Sequence, residues 1–313
     1  MSGPESIVSS EARPARAPLT IPALRRHKVR DGVEPLVMLT AYDAPTARLA
    51  AAAGIDLLLV GDSVGTAVLG YDSTVPVTLD DIVHHAKAVR RGAPHAQMVA
   101  DLPFLTYQVS DEQAVTNAGR LVQEGGADAV KLEGGRAQAD RIRAIVSAGI
   151  PVVGHIGLTP QSAGALGGMR VQGRDLDGAL ALIEDARAVE AAGAHMLVVE
   201  VVPAELGALI TETVSIPTIG IGAGAACDGQ VLVWTDLAGL TAKALDEAIR
   251  PRFAAPTLDL NALLEDAFAG FAAAVRSGAY PQPQHTYPMK PEVLAAVREA
   301  LPAPLAADGA RDA

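Results

Sequence analysis

The chain has 313 residues, half of them hydrophobic but only 3% aromatic, so its core must be built mainly from Ala, Val, Leu and Ile. Its formal net charge of −11 repels nucleic acid and anionic membrane, and neither is expected as a partner. The single cysteine, Cys227, excludes an intramolecular disulfide and fits a reducing, cytoplasmic compartment.

Residues 1–18 are rich in Ser, Glu, Arg, Ala and Pro. They lack the apolar stretch of a secretory signal and read as a disordered tail. No apolar run reaches the roughly 18 residues needed to span a bilayer. From about Pro35 onward one pattern repeats. Leu36–Thr40 is a short apolar run, and Ala44–Ala53 is the helix candidate that follows it. Leu57–Val60 precedes the helical stretch Thr78–Arg91, and Gln97–Ala100 precedes Asp111–Gly125. Ala129–Leu132 leads to Arg136–Ala148, Pro151–Gly154 to Asp177–Ala192, and Met196–Val199 to Ala204–Val214. Pro217–Ile221 and Gln230–Trp234 complete the set, with only Gly222–Gly229 between them.

The eight runs are continuous rather than alternating in apolar character, as strands buried on both faces are. Eight strand–helix units predict an α/β fold that closes as a (β/α)8 barrel over residues 19–285. An open doubly wound sheet is the alternative, because the seventh unit is too short for a crossover helix. Gly54, Gly92, Gly125, Gly149 and Gly193 suit left-handed helix ends. Leu258–Gly278 is a helix candidate outside the repeat, and Pro281–Pro291 is a Pro-rich connector. Residues 286–313 read as a partly disordered extension, with no second domain expected.

Polar residues gather where the apolar runs stop: Asp62 and Ser63, Asp101, Lys131 and Glu133, His155, and Glu200. A barrel brings such positions together at its C-terminal mouth. A charge straight after a buried strand is costly unless it is paired, hydrogen-bonded or metal-bound. Asp62, Asp101 and Glu133 are hard oxygen donors, suited to Mg2+ more than to zinc. Taken singly, each Asp could equally cap a helix. Lys131 can be an ion-pair partner, a clamp for a substrate carboxylate, or a Schiff-base nucleophile. Glu200 sits among valines, where desolvation would make it a better base, or it pairs with a nearby cation. His155 is either a structural histidine or a site residue. Gly220–Gly224 could approach an anion or simply allow a tight turn.

Several ordered stretches are similar to the ketopantoate hydroxymethyltransferase (3-methyl-2-oxobutanoate hydroxymethyltransferase) family. They are Gly61-Asp62-Ser63, Gly70–Thr78, Val89–Pro94, Ala100–Phe104, Lys131–Gly135, Gly154–Gln161, Val171–Arg174 and Gly220–Gly224. The resemblance spans roughly residues 20–285. It implies a TIM barrel of the phosphoenolpyruvate/pyruvate type and a Mg2+ ion held by Asp62, Asp101 and Glu133. It implies that Asp62, Ser63, Asp101, Lys131 and His155 contact a 2-oxo acid, and that Glu200 accepts a proton. The implied reaction is transfer of a hydroxymethyl group from 5,10-methylenetetrahydrofolate to 3-methyl-2-oxobutanoate through a Mg-stabilised enolate. The product is 2-dehydropantoate, on the way to pantothenate and coenzyme A. The implied assembly is a cytoplasmic homodecamer.

This sequence departs from the family pattern at Thr235, within Trp234-Thr235-Asp236, where a histidine is expected. Met169-Arg170 replaces an aromatic–lysine pair, and Ile249–Phe253 fits the pattern only loosely. A lyase or mutase of the same barrel superfamily, a Lys131 Schiff-base aldolase and a non-catalytic barrel are the competing readings.

Overall fold

The computed structural model describes residues 19–240 and 251–301. The tail at 1–18, Ile249 and Arg250, and residues 302–313 of the C-terminal extension lie outside the described residues. The chain forms two compact units, Met1–Asn261 and Ala262–Ala313.

In the first unit, strands β1 (Leu36–Thr40), β2 (Leu57–Val60), β3 (Gln97–Asp101), β4 (Ala129–Glu133), β5 (Val152–Gly157), β6 (Met196–Glu200), β7 (Thr218–Ile221) and β8 (Gly229–Leu232) form a closed parallel barrel in chain order. Closure runs through β1 and β8, from Leu36 opposite Gly229 to Leu39 opposite Leu232. The open-sheet alternative therefore fails, although the β7–β8 connector carries no crossover helix. The helices are α1 (Ile21–Arg25), α2 (Ala44–Ala52), α3 (Val64–Ala67), α4 (Leu79–Gly92), α5 (Asp111–Gln123), α6 (Ala139–Ser147), α7 (Leu176–Ala191), α8 (Ala204–Thr213) and α9 (Trp234–Ala238). In the second unit lie most of α10 (Leu260–Ser277), a single-turn 3-10 segment at Pro283–His285 and α11 (Pro291–Ala300). Among the described residues no helix is long and apolar enough to cross a membrane.

Local chemistry fixes the helix starts. Asp43, Ser110 and Asp175 each accept a backbone N–H from the first turn of α2, α5 and α7. Thr78 and Asp81 form a reciprocal capping box on α4. Helix α6 begins later than its sequence pattern predicts, after a 3-10 turn at Arg136–Gln138 whose first N–H is held by Asp185.

The helix ends follow the glycine rule only in part. Gly54, Gly149 and Gly193 are left-handed, with φ of 81°, 85° and 101°. Gly92 instead ends inside α4, where a Cβ would sit 2.3 Å from the Ala44 carbonyl oxygen. After α5 the left-handed residue is Gly126 rather than Gly125. The eighth strand also stops earlier than expected. The Trp234 N–H donates to the Thr40 hydroxyl at 3.0 Å and turns the chain into α9, so Trp234-Thr235-Asp236 is helical.

The two-residue period of the strands divides the core into two layers. Leu58, Val60, Met98, Ala100, Val130, Leu132, Leu197 and Val199 pack outward under the helices. Leu36, Met38, Leu57, Leu59, Val99, Ala129, Val153, Met196, Val198 and Ile219 fill the lumen, with Leu24 of α1 among them. At the N-terminal end of β8, Lys28 and Asp228 form a buried ion pair at 2.6 Å. Lys28 also donates to the carbonyls of Thr211 and Ile216, and Asp228 accepts from the N–H groups of Val29 and Thr218. One pair thus ties the chain after α1, the end of α8 and the starts of β7 and β8 together. Lys28→Met leaves Asp228 buried without its cation. It should cost about 3–5 kcal/mol in urea unfolding.

His195, one residue before β6, is buried with neither ring nitrogen in a well-formed hydrogen bond. Burial holds its pKa down at about 4; the nearby Arg25 charge acts the same way and the Val152 backbone weakly opposes it. The unfolded chain therefore takes up this proton first as pH falls. The contribution is intact above pH ~6.5 and lost between there and pH ~4, a change of about 3 kcal/mol. His195→Leu should flatten that part of the stability profile, measured as unfolding free energy at pH 7 and at pH 4.5.

Candidate active site

The lumen-facing alternation continues upward into polar residues. Val99 is followed two residues on by Asp101, Ala129 by Lys131 and Glu133, Val153 by His155, and Val198 by Glu200. Register then chooses neighbours. Asp101 lies opposite Lys131, Glu133 opposite His155, and Gly157 opposite Glu200. Asp62 and Ser63 follow β2 at the same end. The C-terminal mouth thus gathers all of the residues named from the sequence.

Asp62, Asp101, Lys131, Glu133 and His155 are buried, and the Glu200 side chain is 13% exposed. The Lys131 ammonium lies 3.1 Å from Asp101 Oδ2. The same oxygen accepts the Asp62 N–H at 3.0 Å, while Asp101 Oδ1 is buried with no hydrogen-bond partner among the described residues. His155 bridges two carboxylates, with Nδ1 at 3.4 Å from Glu133 and Nε2 at 3.1 Å from Glu200. These are ion-pair contacts rather than well-directed hydrogen bonds. The Ser63 hydroxyl is 2.8 Å from the Tyr42 hydroxyl.

Two residues without an assigned role complete the cluster. Gln161 donates its side-chain amide to Asp62 Oδ2 at 2.8 Å and to the Leu102 carbonyl at 3.0 Å. Its backbone N–H donates to Glu133 Oε2 at 3.0 Å. Tyr107 places its hydroxyl 2.8 Å from Gln161 Oε1, and that hydroxyl accepts the Glu133 N–H at 3.2 Å. The sequence signal for Gln161 was its place at the end of Gly154–Gln161, a polar residue beyond a buried strand. Tyr107 gave no such signal.

The electrostatics follow from crowding. Burial, with Asp101 and Glu133 nearby, pushes Asp62 up to about 8; Lys131 and Gln161 pull less strongly the other way. Burial also raises Asp101, against Lys131. For Glu133 burial is outweighed, chiefly by His155 and Lys131, and its pKa falls. Burial and Lys131 disfavour a charged His155, but Glu133 and Glu200 more than offset them and hold it at about 9. Burial likewise opposes charge on Lys131, and the three carboxylates overcome it, so its pKa lies above the ordinary lysine value.

Among the described residues no three His, Cys, Asp or Glu side chains converge tightly enough to wrap a metal by themselves. A Mg2+ ion needs less, because it keeps several waters and takes substrate oxygens. The unpartnered Asp101 Oδ1, and a concentration of carboxylates that raises Asp62, are features a hard cation would relieve. In that sense the residues present fit the ion.

A pocket of about 360 Å³ lies elsewhere, beside the β7–β8 connector, between Gly222, Cys227, Gln230 and Phe253. Its one nucleophile is poor, since burial raises the Cys227 thiol. The glycines here serve packing: Gly222, at φ 63°, lies under the Phe253 ring, and Gly224, at φ 86°, lies against Ala204.

With this geometry in place, likeness to other proteins decides the family. The sequence profile of ketopantoate hydroxymethyltransferase matches residues 18–283. The chain belongs to the ketopantoate hydroxymethyltransferase family. A 3-methyl-2-oxobutanoate hydroxymethyltransferase of Bacillus subtilis strain 168 is 52% identical over 267 residues, 85% of this chain and 95% of its own length. One from Dehalococcoides mccartyi strain 195 is 50% identical over 274 residues, 88% of this chain and 95% of its own. Solved structures share the fold at low identity. A 2,3-dimethylmalate lyase, a member of the PEP mutase/isocitrate lyase superfamily, aligns with a TM-score of 0.53 and 16% identity, covering 90% of this chain and 98% of its own. An oxaloacetate acetylhydrolase aligns at 0.55 and 17% identity, covering 84% and 99%. These neighbours share the barrel fold with this chain.

The family departure at Thr235 falls on a fully buried residue of α9, and its hydroxyl has no partner among the described residues. The junction of β5 and β6 is tighter. Gly157 has φ 93°, and a Cβ there would sit 2.2 Å from the Glu200 carbonyl oxygen. The next residue after Glu200, Val201, is itself left-handed at φ 48°, a costly state for a β-branched residue. Its N–H and carbonyl are fixed by Ile221 and by the Gln172 N–H. Gly157→Ala should therefore displace Glu200, costing ~3 kcal/mol or more of stability together with turnover. Paired melting and rate measurements check this.

Proposed function

We propose that the protein transfers a hydroxymethyl group to 3-methyl-2-oxobutanoate, drawing the one-carbon unit from 5,10-methylenetetrahydrofolate and forming 2-dehydropantoate for pantothenate synthesis. Acceptor and transferred group are those in the names of the relatives that are about half identical over most of the chain. The folate donor, a decameric assembly and a cytoplasmic setting rest on the family resemblance.

The observation that supports the division of roles is the order of contacts across the mouth. Lys131 pairs with Asp101 at 3.1 Å among Asp62, Asp101 and Glu133, and His155 links Glu133, at 3.4 Å, to Glu200, at 3.1 Å. Asp62, Asp101 and Glu133 would hold Mg2+, which as a Lewis acid would polarise the 2-oxo group. Lys131 supplies the positive charge that an anionic acid needs in a mouth otherwise lined by carboxylates. Ser63, fixed by Tyr42, offers a hydroxyl beside Asp62. Glu200 is the partly open carboxylate of the set and accepts the proton from C3, next to the oxo carbon. The C3–H electron pair then forms the new carbon–carbon bond to the methylene carbon of the donor; that carbon's two bonds to nitrogen break, water supplies the hydroxyl oxygen, and tetrahydrofolate leaves with the proton taken from C3 and one from water. His155 orients the receiving carboxylate.

The test is an assay of 3-methyl-2-oxobutanoate with methylenetetrahydrofolate. Chelation with EDTA should abolish turnover and added Mg2+ should restore it. Glu200→Gln should lower kcat by ~10²–10⁴ without unfolding the protein. Wild-type turnover in that variant rules out Glu200 as the base. Consumption of the 2-oxo acid without any folate would favour a lyase or mutase instead.

A further inference from the structure

Gln161 touches two of the three carboxylates assigned to the cation. It is buried at the 3-10 turn Pro160–Ser162 that follows β5. Its amide nitrogen meets only acceptors, Asp62 Oδ2 and the Leu102 carbonyl. Its amide oxygen meets the Tyr107 hydroxyl at 2.8 Å, which also reaches the Glu133 carbonyl at 3.0 Å, and Gln108 Nε2 at 3.4 Å. A flipped amide would set its oxygen against the Leu102 carbonyl, which can only accept, so the surroundings favour one orientation. Side chain and backbone of this single residue thus each bind one oxygen of a different carboxylate, Asp62 Oδ2 and Glu133 Oε2. Asp101 is tied in the same manner at Oδ2, by Lys131 and the Asp62 N–H, with Oδ1 left unpartnered.

We infer that Gln161 is a positioning residue that sets the spacing of the Asp62 and Glu133 carboxylates for a hard divalent cation, with Tyr107 locking its amide. This rests on the reading of Asp62, Asp101 and Glu133 as cation ligands. Partners that orient metal ligands commonly contribute ten- to a hundredfold in affinity. Gln161→Met keeps the length of the side chain and removes both amide donors, while the backbone N–H to Glu133 survives. Of the carboxylates only Asp62 is released, while the Leu102 carbonyl and the Tyr107 hydroxyl also lose their Gln161 contacts.

The experiment is Mn2+ binding to the purified full-length protein, followed by electron paramagnetic resonance, with melting temperature in parallel. Gln161→Met should weaken Mn2+ by about tenfold or more. Tyr107→Phe, which leaves the amide unlocked but present, should weaken it less and in the same direction. Affinity within about twofold of wild type in Gln161→Met overturns the proposal. If that variant does not fold, unchanged affinity in Tyr107→Phe overturns it instead. Asp101→Asn separates the two ideas: Mn2+ binding there at wild-type strength removes the carboxylate cation site itself, and the positioning role with it.

Discussion

Buried charge that must find a partner is the constraint on which this molecule depends. A carboxylate or ammonium inside a protein is tolerated only when its neighbours compensate the lost water. The barrel supplies those neighbours by register. Once β3 pairs with β4 so that Ala100 meets Val130, Asp101 must meet Lys131. The same step between β4 and β5 brings Glu133 beside His155. The chemistry at the mouth and the closure of the sheet are therefore one arrangement seen at two scales. The Lys28–Asp228 pair at the opposite end obeys the same rule without any chemical duty.

Much of this was legible in the sequence, for a physical reason. Strands covered on both faces are apolar throughout, so each run and its polar end stood out against the Ala-rich helices. That same continuity concealed which residues face the lumen. Val99 and Ala100 look alike in sequence, yet one fills the barrel and the other packs under helices. Only the polar residues betray the alternation, because Asp101, Lys131, Glu133, His155 and Glu200 all keep lumen parity. What stayed hidden depends on contacts distant in sequence. Gln161 reaches Asp62 across 99 positions, and an uncharged amide gives no warning of such a role. The end of β8 was set too late because the hydroxyl that turns the chain, Thr40, belongs to β1. Gly125 and Gly126 cannot be told apart by composition alone.

Family likeness and geometry contribute different things. Relatives about half identical over most of the chain supply the acceptor and the group transferred. The remote structural neighbours supply the barrel alone. Neither says how the mouth is braced. That comes from hydrogen bonds in this chain: Tyr42 on Ser63, Tyr107 on Gln161, and Gln161 on Asp62 and Glu133.

The filled lower end of the barrel has a consequence for traffic. Leu24 joins the apolar side chains that plug the lumen, and the Lys28–Asp228 pair braces the strands beside them. Among the described residues the lumen below Lys131 is packed, which leaves the C-terminal mouth as the well that a ligand enters. Whatever settles against Lys131 lies at its floor, and anything larger that arrives later forms its ceiling. In such a well the order of entry and exit follows from depth: the deep ligand is first in and last out.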